Sequence, residues 1–255
     1  MAEGDSILRL ARRIDAALGG SNVRARTPGR RPPEGRTVSE LDGRTLTAAE
    51  SRGKHLLLRF SEGLVLHSHL GMRGSWHLYR PGERWRRPAS RAWIELATED
   101  AVAVNFDGSS MRLVRETELR RDPRLARLGP DLLAPDVTPE SVAVSLRRGD
   151  RDRELGDALL DQSLVAGIGN IFKSEGCFAA KLDPWRTLGR LEPADLELVA
   201  AQTRSLMLGS AETGRAPMRV YRRAGMPCPR CGAAIRSRKQ GDDARTTYWC
   251  AGCQG

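Results

Sequence analysis

Lysine is scarce in this sequence: among 42 basic residues, only Lys54, Lys173, Lys181 and Lys239 are lysines. Arginine carries the basic excess, and an arginine-biased composition can raise charge without any partner behind it. Also missing is a run of ~18 apolar residues, the length that a membrane-spanning helix needs. The first residues show no basic-then-apolar leader. These two absences predict a cytoplasmic protein with no membrane partner. Before position 228 the only cysteine is Cys177, which argues against a disulfide-stapled scaffold. Aromatic residues make up 5% of the chain, too few for a surface that stacks single-stranded RNA bases. No internal repeat is visible.

What is present starts with size and charge. The chain has 255 residues, 40% of them hydrophobic, enough for one large or two modest packed domains. Its net charge of +10 attracts polyanions, nucleic acid first among them. Ile7, Leu10, Ala11, Ile14 and Leu18 recur at helical spacing, so a helix is expected from about Asp5 to Leu18, capped by Asp5 or Ser6 and ended by Gly19-Gly20. RARTPGRRPPEGR, residues 24–36, reads as a loop, a solvated linker in preference to a DNA-contacting arm. Then HLLLRF, GLVLHSHL, SWHLYR, AWIELAT, AVAVNF and MRLVRE follow one another as short strands between turn signals, the pattern of an antiparallel sandwich. Residues 80–91 form a second basic loop. After LGPDLLAP the strands give way to helices, with start signals at Thr138-Pro139 and Glu192-Pro193. The expected class is α+β and multidomain: an N-terminal helix plus antiparallel β-sandwich in 1–133, a helical domain in 134–213, and a cysteine-bearing β-hairpin tail in 214–255.

Four stretches carry chemistry. Cys228/Cys231 and Cys250/Cys253 are two C-x2-C knuckles separated by 18 residues. Four thiolates at this spacing make a closed tetrahedral cage for one structural Zn2+, and metal binding would supply the folding energy of so short a tail. A redox dithiol pair is the weaker alternative. Arg236, Arg238, Lys239 and Arg245 lie between the knuckles, where a pinned hairpin can place a cation at a phosphate. DQSLVAGIGNIFKSEGCF, residues 161–178, turns through Gly167 and Gly169 into a helix starting near Asn170. Such a turn suits a phosphate clamp of backbone amides and the Asn170 side chain, or simply a helical hairpin. Lys54 follows Gly53 at the start of a strand and reads equally as a surface lysine. Met72, in HSHLGMRG, is either core or a wedge that enters a base stack. Ala2 and Glu3, close to the start, are left unexplained by a helix cap.

Taken together these stretches resemble the Fpg/Nei DNA glycosylases. MAEGDSI is similar to that family's N-terminal M-P-E-G, SRGKHLLL to its hairpin lysine motif, HSHLGMRG to its void-filling loop, DQSLVAGIGNIFKSE to its helix–two-turn–helix, and RVYRRAGMPCPRCG…ARTTYWCAGCQ to its zinc finger. The match runs the length of the chain in the family's order. The resemblance implies base-excision repair of damaged DNA, with DNA glycosylase and AP lyase activities and no small-molecule cofactor, in a monomer of the bacterial cytoplasm bound to the nucleoid through DNA. It implies that the amine of Ala2, exposed when Met1 is removed, attacks C1′ of the damaged nucleotide and forms a Schiff base. Glu3 would protonate the sugar ring oxygen. Lys54 would bind the adjacent phosphate and assist strand scission. Asn170 and Arg245 would grip the flanking phosphates, and Met72 would fill the hole in the duplex.

Physical chemistry makes an N-terminal nucleophile sensible. An α-amine has a pKa of about 7.7–8.0 against about 10.4 for lysine, so at pH 7 roughly one in ten is already neutral. Two departures stand out. Alanine occupies position 2, where the family usually has proline. NFDGSSMRLVRE lacks the Fpg branch's D-P-R-R-F-G arginine, which tilts the expectation toward the Nei branch and oxidised pyrimidines. The alternatives are a damaged-DNA-binding protein that has lost catalysis, which Ala2 permits and Glu3 and Lys54 oppose, and a glycosylase for bulky or cross-linking lesions.

Overall fold

The computed structural model describes residues 2–255; Met1, and with it the expected removal of that methionine, lies outside them. The chain divides into two compact units. One holds Ala2 and Ser6–Ala126, the other Glu3–Asp5 and Arg127–Gly255.

Helix α1 (Gly4–Leu18) passes into the first unit and buries Ile7, Leu10, Ala11, Ile14 and Leu18, the stripe its 3.6-residue spacing marks out. Nine strands follow: β1 (Arg24–Arg26), β2 (Glu34–Gly35), β3 (Leu46–Arg52), β4 (His55–Phe60), β5 (Leu64–His69), β6 (Ser75–Tyr79), β7 (Ala92–Ala97), β8 (Val102–Phe106) and β9 (Ser110–Arg115). They form two sheets, in the orders β1-β7-β8-β6 and β2-β9-β5-β4-β3. All pairs are antiparallel except β2 with β9. Leu56, Leu58, Leu66 and Leu113 from one sheet share a core with Trp76, Ile94, Leu96 and Ala103 from the other and with α1, so the unit is a sandwich.

Two features depart from expectation. The basic stretch 24–36 is not all loop: Arg24–Arg26 pairs along β7 and Glu34–Gly35 along β9. Exposed sheet edges accept any backbone, so three arginine-rich residues become a strand that composition does not advertise. LTAAESR, likewise, has little strand propensity, yet it is β3. It pairs only with β4, where backbone bonds matter more than side-chain packing.

His55, Leu57, His67 and His69 share the β4–β5 face opposite the core leucines. His55 Nδ1 and His67 Nε2 are 2.8 Å apart. His67 Nδ1 lies 4.0 Å from the buried carboxylate of Asp122, which accepts a hydrogen bond from Arg112 at 2.6 Å.

In the C-terminal part of the chain come α2 (Glu116–Leu119), α3 (Pro123–Ala126), α4 (Pro139–Leu146), α5 (Leu155–Ala158), α6 (Asn170–Ala180) and α7 (Pro193–Thr213), then β10 (Arg236–Gln240) and β11 (Arg245–Trp249). Pro139 and Pro193 stand in the first turn, where their missing N–H costs nothing, and Gly214 at φ 72° ends α7. α6 packs so closely on α7 that a side chain at Gly176 would overlap Thr203. Among the described residues no helix is long and apolar enough to cross a membrane.

Burial pushes His55 down to about 3 and His67 to about 4 from the ordinary 6.5. Both imidazoles are therefore neutral in the folded chain, whereas the unfolded chain takes up protons below about pH 6.5. Because the unfolded state binds more protons in that window, stability falls as pH drops from 6.5 toward 4. Urea unfolding across this range is expected to show the decline, and His55→Leu to flatten it. An unchanged slope in the variant would remove His55 from the account.

Candidate functional site

Glu3 is 1% exposed, and its carboxylate does not reach solvent. A buried charge needs partners. Oε1 accepts the N–H of Ile171 at 2.9 Å, and Oε2 accepts those of Gly169 at 3.1 Å and Phe172 at 3.3 Å. These are the open amides at the start of α6, where the helix dipole also favours negative charge. The same amides are the ones a phosphate clamp would have used. Glu3 occupies them instead.

The glycines around this carboxylate are there for space. A side chain at Gly169 would overlap the carboxyl group of Glu3. A Cβ at Gly4 would lie 3.0 Å from both Gly167 Cα and Met207 Cε, and the Gly4 N–H donates to Gly167 O at 2.9 Å. Gly167 itself takes φ 101°. Asp5, expected as a helix cap, lies in the first turn of α1, where it accepts the buried Ser210 hydroxyl at 2.6 Å. Thus Glu3-Gly4-Asp5 is tied to the G-x-G turn and to α7.

The first turns of α6 also hold the hairpin β10–β11. Asn170 Nδ2 donates to Thr246 O at 2.9 Å, while its buried Oδ1 has no hydrogen-bond partner. Next to Thr246 is Arg245, half-buried, with Asp243 at 3.7 Å as a loose counter-charge. Asn170 and Arg245, proposed from sequence as neighbours in function, are therefore neighbours in space. Lys173 is fully buried, and burial pushes its amine down to about 8. Its Nζ donates to Thr247 Oγ1 at 2.6 Å, and that hydroxyl donates to Gln240 Oε1 at 2.6 Å. Gln240 Nε2 in turn reaches Glu154 and the Pro184 carbonyl. On the far side of α6, the Glu175 carboxylate accepts the N–H groups of Arg219, Val220 and Tyr221, fixing the segment that leads to the first knuckle. Burial raises its pKa. Lys173, Glu175 and Gln240 escape a reading of sequence motifs. No sequence signal marks them; their pairing follows from α6 being buried nearly all round in the fold, so that its polar side chains must find partners.

The sulfurs of Cys228, Cys231, Cys250 and Cys253 all lie within 4.8 Å of one another. The Cys228–Cys253 and Cys231–Cys250 separations are 3.9 and 3.4 Å. A tetrahedron with metal–sulfur bonds of about 2.3 Å has edges of about 3.8 Å. The four cysteines can therefore bind a metal ion. Cys177 stands apart, buried, with its thiol pushed up to about 12.

Three further predicted residues belong to the first unit. Ala2 is partly buried against the sandwich core and is joined to Glu3 by the peptide bond. Lys54 is half-buried in the two-residue turn between β3 and β4, where Gly53 supplies φ 57°. Burial depresses the pKa of nearby His69, and the charge of Lys54 lowers it further. Met72 is 70% exposed at the tip of the β5–β6 turn, which excludes the core alternative.

Comparison with known proteins agrees with this geometry. Residues 1–125 match the formamidopyrimidine-DNA glycosylase N-terminal domain and residues 128–221 the formamidopyrimidine-DNA glycosylase H2TH domain. "Probable endonuclease 8 2" of Streptomyces coelicolor is 43% identical over 269 residues, covering 100% of this chain and 94% of that protein. The DNA-(apurinic or apyrimidinic site) lyase Nei2 of Mycolicibacterium smegmatis is 36% identical over 266 residues, covering 100% and 99%. The fold matches that of Lactococcus lactis Fpg crystallised with abasic-site DNA, with a TM-score of 0.85 at 22% identity and all of both chains covered. A buried carboxylate on a G-x-G turn, a lysine hairpin and a four-cysteine cluster thus occur together in a chain that belongs to the formamidopyrimidine-DNA glycosylase and endonuclease 8 family of base-excision DNA glycosylases and AP lyases.

Proposed function

We propose that this chain releases oxidised bases, pyrimidines foremost, from DNA and cuts the strand at the abasic site, with the α-amine of Ala2 as nucleophile. The observation that carries this reading is the Glu3 carboxyl group, buried, held by three N–H donors and covalently next to Ala2. A group so fixed can pass a proton repeatedly at one place without reorganising. The Glu3 carboxylate takes a proton from the α-ammonium, which leaves the amine neutral to attack C1′, and passes that proton to the ring oxygen. The glycosidic bond breaks and its electrons leave with the base; the C1′–O4′ bond then breaks, the protonated ring oxygen stays on the sugar as a hydroxyl, and the C1′=N bond of the Schiff base forms. Elimination of the 3′ phosphate then cuts the strand, with Lys54 neutralising the phosphate beside the lesion. The target base must first leave its stack, which costs a few kcal/mol. Phosphate contacts from Arg245 and Asn170, and Met72 filling the gap, offset that cost. The names of the endonuclease 8 and Nei2 relatives agree with the Nei-like branch, to which the missing D-P-R-R-F-G arginine also points.

The metal is proposed to be zinc, structural and one per chain, because four sulfur ligands leave no open position. It would close the distal end of the hairpin whose near end α6 already holds. Elemental analysis of protein purified without chelator is expected to give about one zinc per chain. Cys250→Ser should abolish it and weaken DNA binding, because Arg245 loses its support. Stoichiometric zinc in Cys250→Ser would contradict the assignment.

Glu3→Gln keeps the shape but removes the proton. It should abolish base excision, leave binding to abasic-site DNA nearly intact, and lower stability by about 1–3 kcal/mol, because its amide group cannot accept all three N–H groups. Excision at the wild-type rate would refute the role of Glu3.

Position 2 separates the two activities. Alanine gives an imine that can lose its proton and become a weaker electron sink, whereas proline gives an obligate iminium and fixes φ. Base release followed by slow strand cleavage is therefore expected, with faster cleavage in Ala2→Pro. The ratio of abasic to nicked product, together with intact mass to show removal of Met1, reads this out. An active protein retaining Met1 would exclude the Ala2 amine.

A further inference from the structure

One face of β4 and β5 carries a polar chain that the reaction above does not use. His55 opens β4 and pairs across the strands with His69, while His67 pairs with Leu57. The His55 ring stands 4.9 Å from that of His67 and 4.9 Å from that of His69.

The direction of the chain is set from its buried end. Asp122 accepts the Arg112 guanidinium at 2.6 Å and the backbone N–H of Arg124 at 2.9 Å. Burial works against charge on Asp122, but the Arg124 N–H and the charges of Arg124 and Arg112 outweigh it, and its pKa is lowered. Asp122 is therefore an anion. Of the two nitrogens of His67, Nδ1 lies near that carboxylate, at 4.0 Å, so the single proton of this neutral ring sits on Nδ1 and Nε2 is left as an acceptor. The atom 2.8 Å from Nε2 is His55 Nδ1, which must then carry its own proton and donate it. Both N–H groups point toward Asp122, and turning the His55 ring over would leave a buried nitrogen of His67 unpaired.

What this chain holds is the tip of the β3–β4 hairpin. Arg52 and His55 are its last pair, and Gly53-Lys54 is its turn. β3 ends the sheet and pairs only with β4, so the sheet braces this tip from the β5 side alone. On that side stand the ladder pair of His55 with His69 and the side-chain bond of His55 to His67. Lys54 is the next residue in the chain, close enough for its charge to act on His69. The flexible stem of a lysine supplies no rigidity of its own, so fixing the backbone beneath it is how a protein aims the ammonium.

We propose that His55 is a positioning residue for strand scission: through His67 and Asp122 it holds the turn that presents Lys54 to the phosphate beside the lesion. The inference rests on the role given to Lys54 above.

Two single-turnover rates test it. One is base release from a duplex with an oxidised pyrimidine, read after alkali; the other is scission of a duplex with a preformed abasic site. His55→Leu is expected to slow scission about tenfold and to leave base release within about twofold, because a small misplacement of one group costs only the step that uses it. His55→Asn places an amide N–H where Nδ1 stands and should restore scission to within about threefold, whereas His55→Gln places its amide at the Nε2 position and should not. In a Lys54→Gln background, His55→Leu should slow scission no further, since the turn then carries no cation to aim. Wild-type scission in His55→Leu, equal slowing of both rates, or full additivity with Lys54→Gln overturns the proposal. If the leucine variant does not fold, the two amide variants decide, and equal scission by both overturns it. Unimpaired scission in Lys54→Gln alone is a different failure: it removes the role of Lys54, and the proposal falls with it.

Discussion

Burying the carboxylate of Glu3 is the constraint on which the second unit is built. An unpaired carboxylate removed from water costs several kcal/mol, and each charge-assisted hydrogen bond returns about 1.5–3. Three N–H donors are therefore required, and the start of a helix presents open donors in one place. The donors can reach Glu3 only if the turn before α6 has no side chains in the way. That explains Gly169 against the carboxyl group and Gly4 against Gly167 in one stroke. The spacing Glu3-Gly4 and the spacing Gly167-x-Gly169 are two halves of one contact, 163 or more residues apart in sequence.

α6 then distributes that fixed position. Its first turn meets Glu3, its Asn170 and Lys173 meet the hairpin, and its Glu175 meets the segment entering the first cysteine knuckle. Each link is a buried hydrogen bond, so each is costly to leave unmade. Lys173 shows the tension most clearly. Burial lowers its pKa to about 8, yet its bond to Thr247 Oγ1 uses an N–H that the ammonium and the neutral amine both possess. Positioning of Thr246 and Arg245 therefore does not depend on the charge of Lys173. A neutral hydrogen-bond chain through Thr247 and Gln240 continues to Glu154.

Much of this was legible in sequence, for different reasons. The sandwich strands with apolar alternation, the helix stripe of Ile7 to Leu18 and the proline starts of α4 and α7 follow from local physics, and the structure shows them. The cysteine cluster was legible because ligand chemistry is written in its spacing. β1 and β3 were not legible, since edge strands are specified by the strand they pair with and not by their own side chains. Glu3 could be singled out only through family resemblance; no local pattern says that a carboxylate at position 3 will be buried on amides at 169–172. Lys173 gave no signal, because a lysine in a helix normally faces water, and its burial is imposed by packing on both sides of α6. Met72 remained open between core and wedge until its exposure was seen.

The occupation of the α6 amides by Glu3 changes how DNA can be held. A helix N-terminus with open N–H groups binds phosphate through neutral dipoles, which releases no counterions. Here three of those groups are already committed to a carboxylate, so the negative charge of that site is supplied by the protein itself. Phosphates must then be met by cationic side chains set around it, and arginine dominates the supply. Arginine's planar fork suits phosphate oxygens two at a time. Affinity built from such contacts falls steeply with salt, by nearly one logarithmic unit of slope for each phosphate neutralised. The division is chemically consistent: the preorganised backbone amides hold the buried carboxylate proposed as the proton carrier, and solvated cations are left to meet a polymer that must bind and leave.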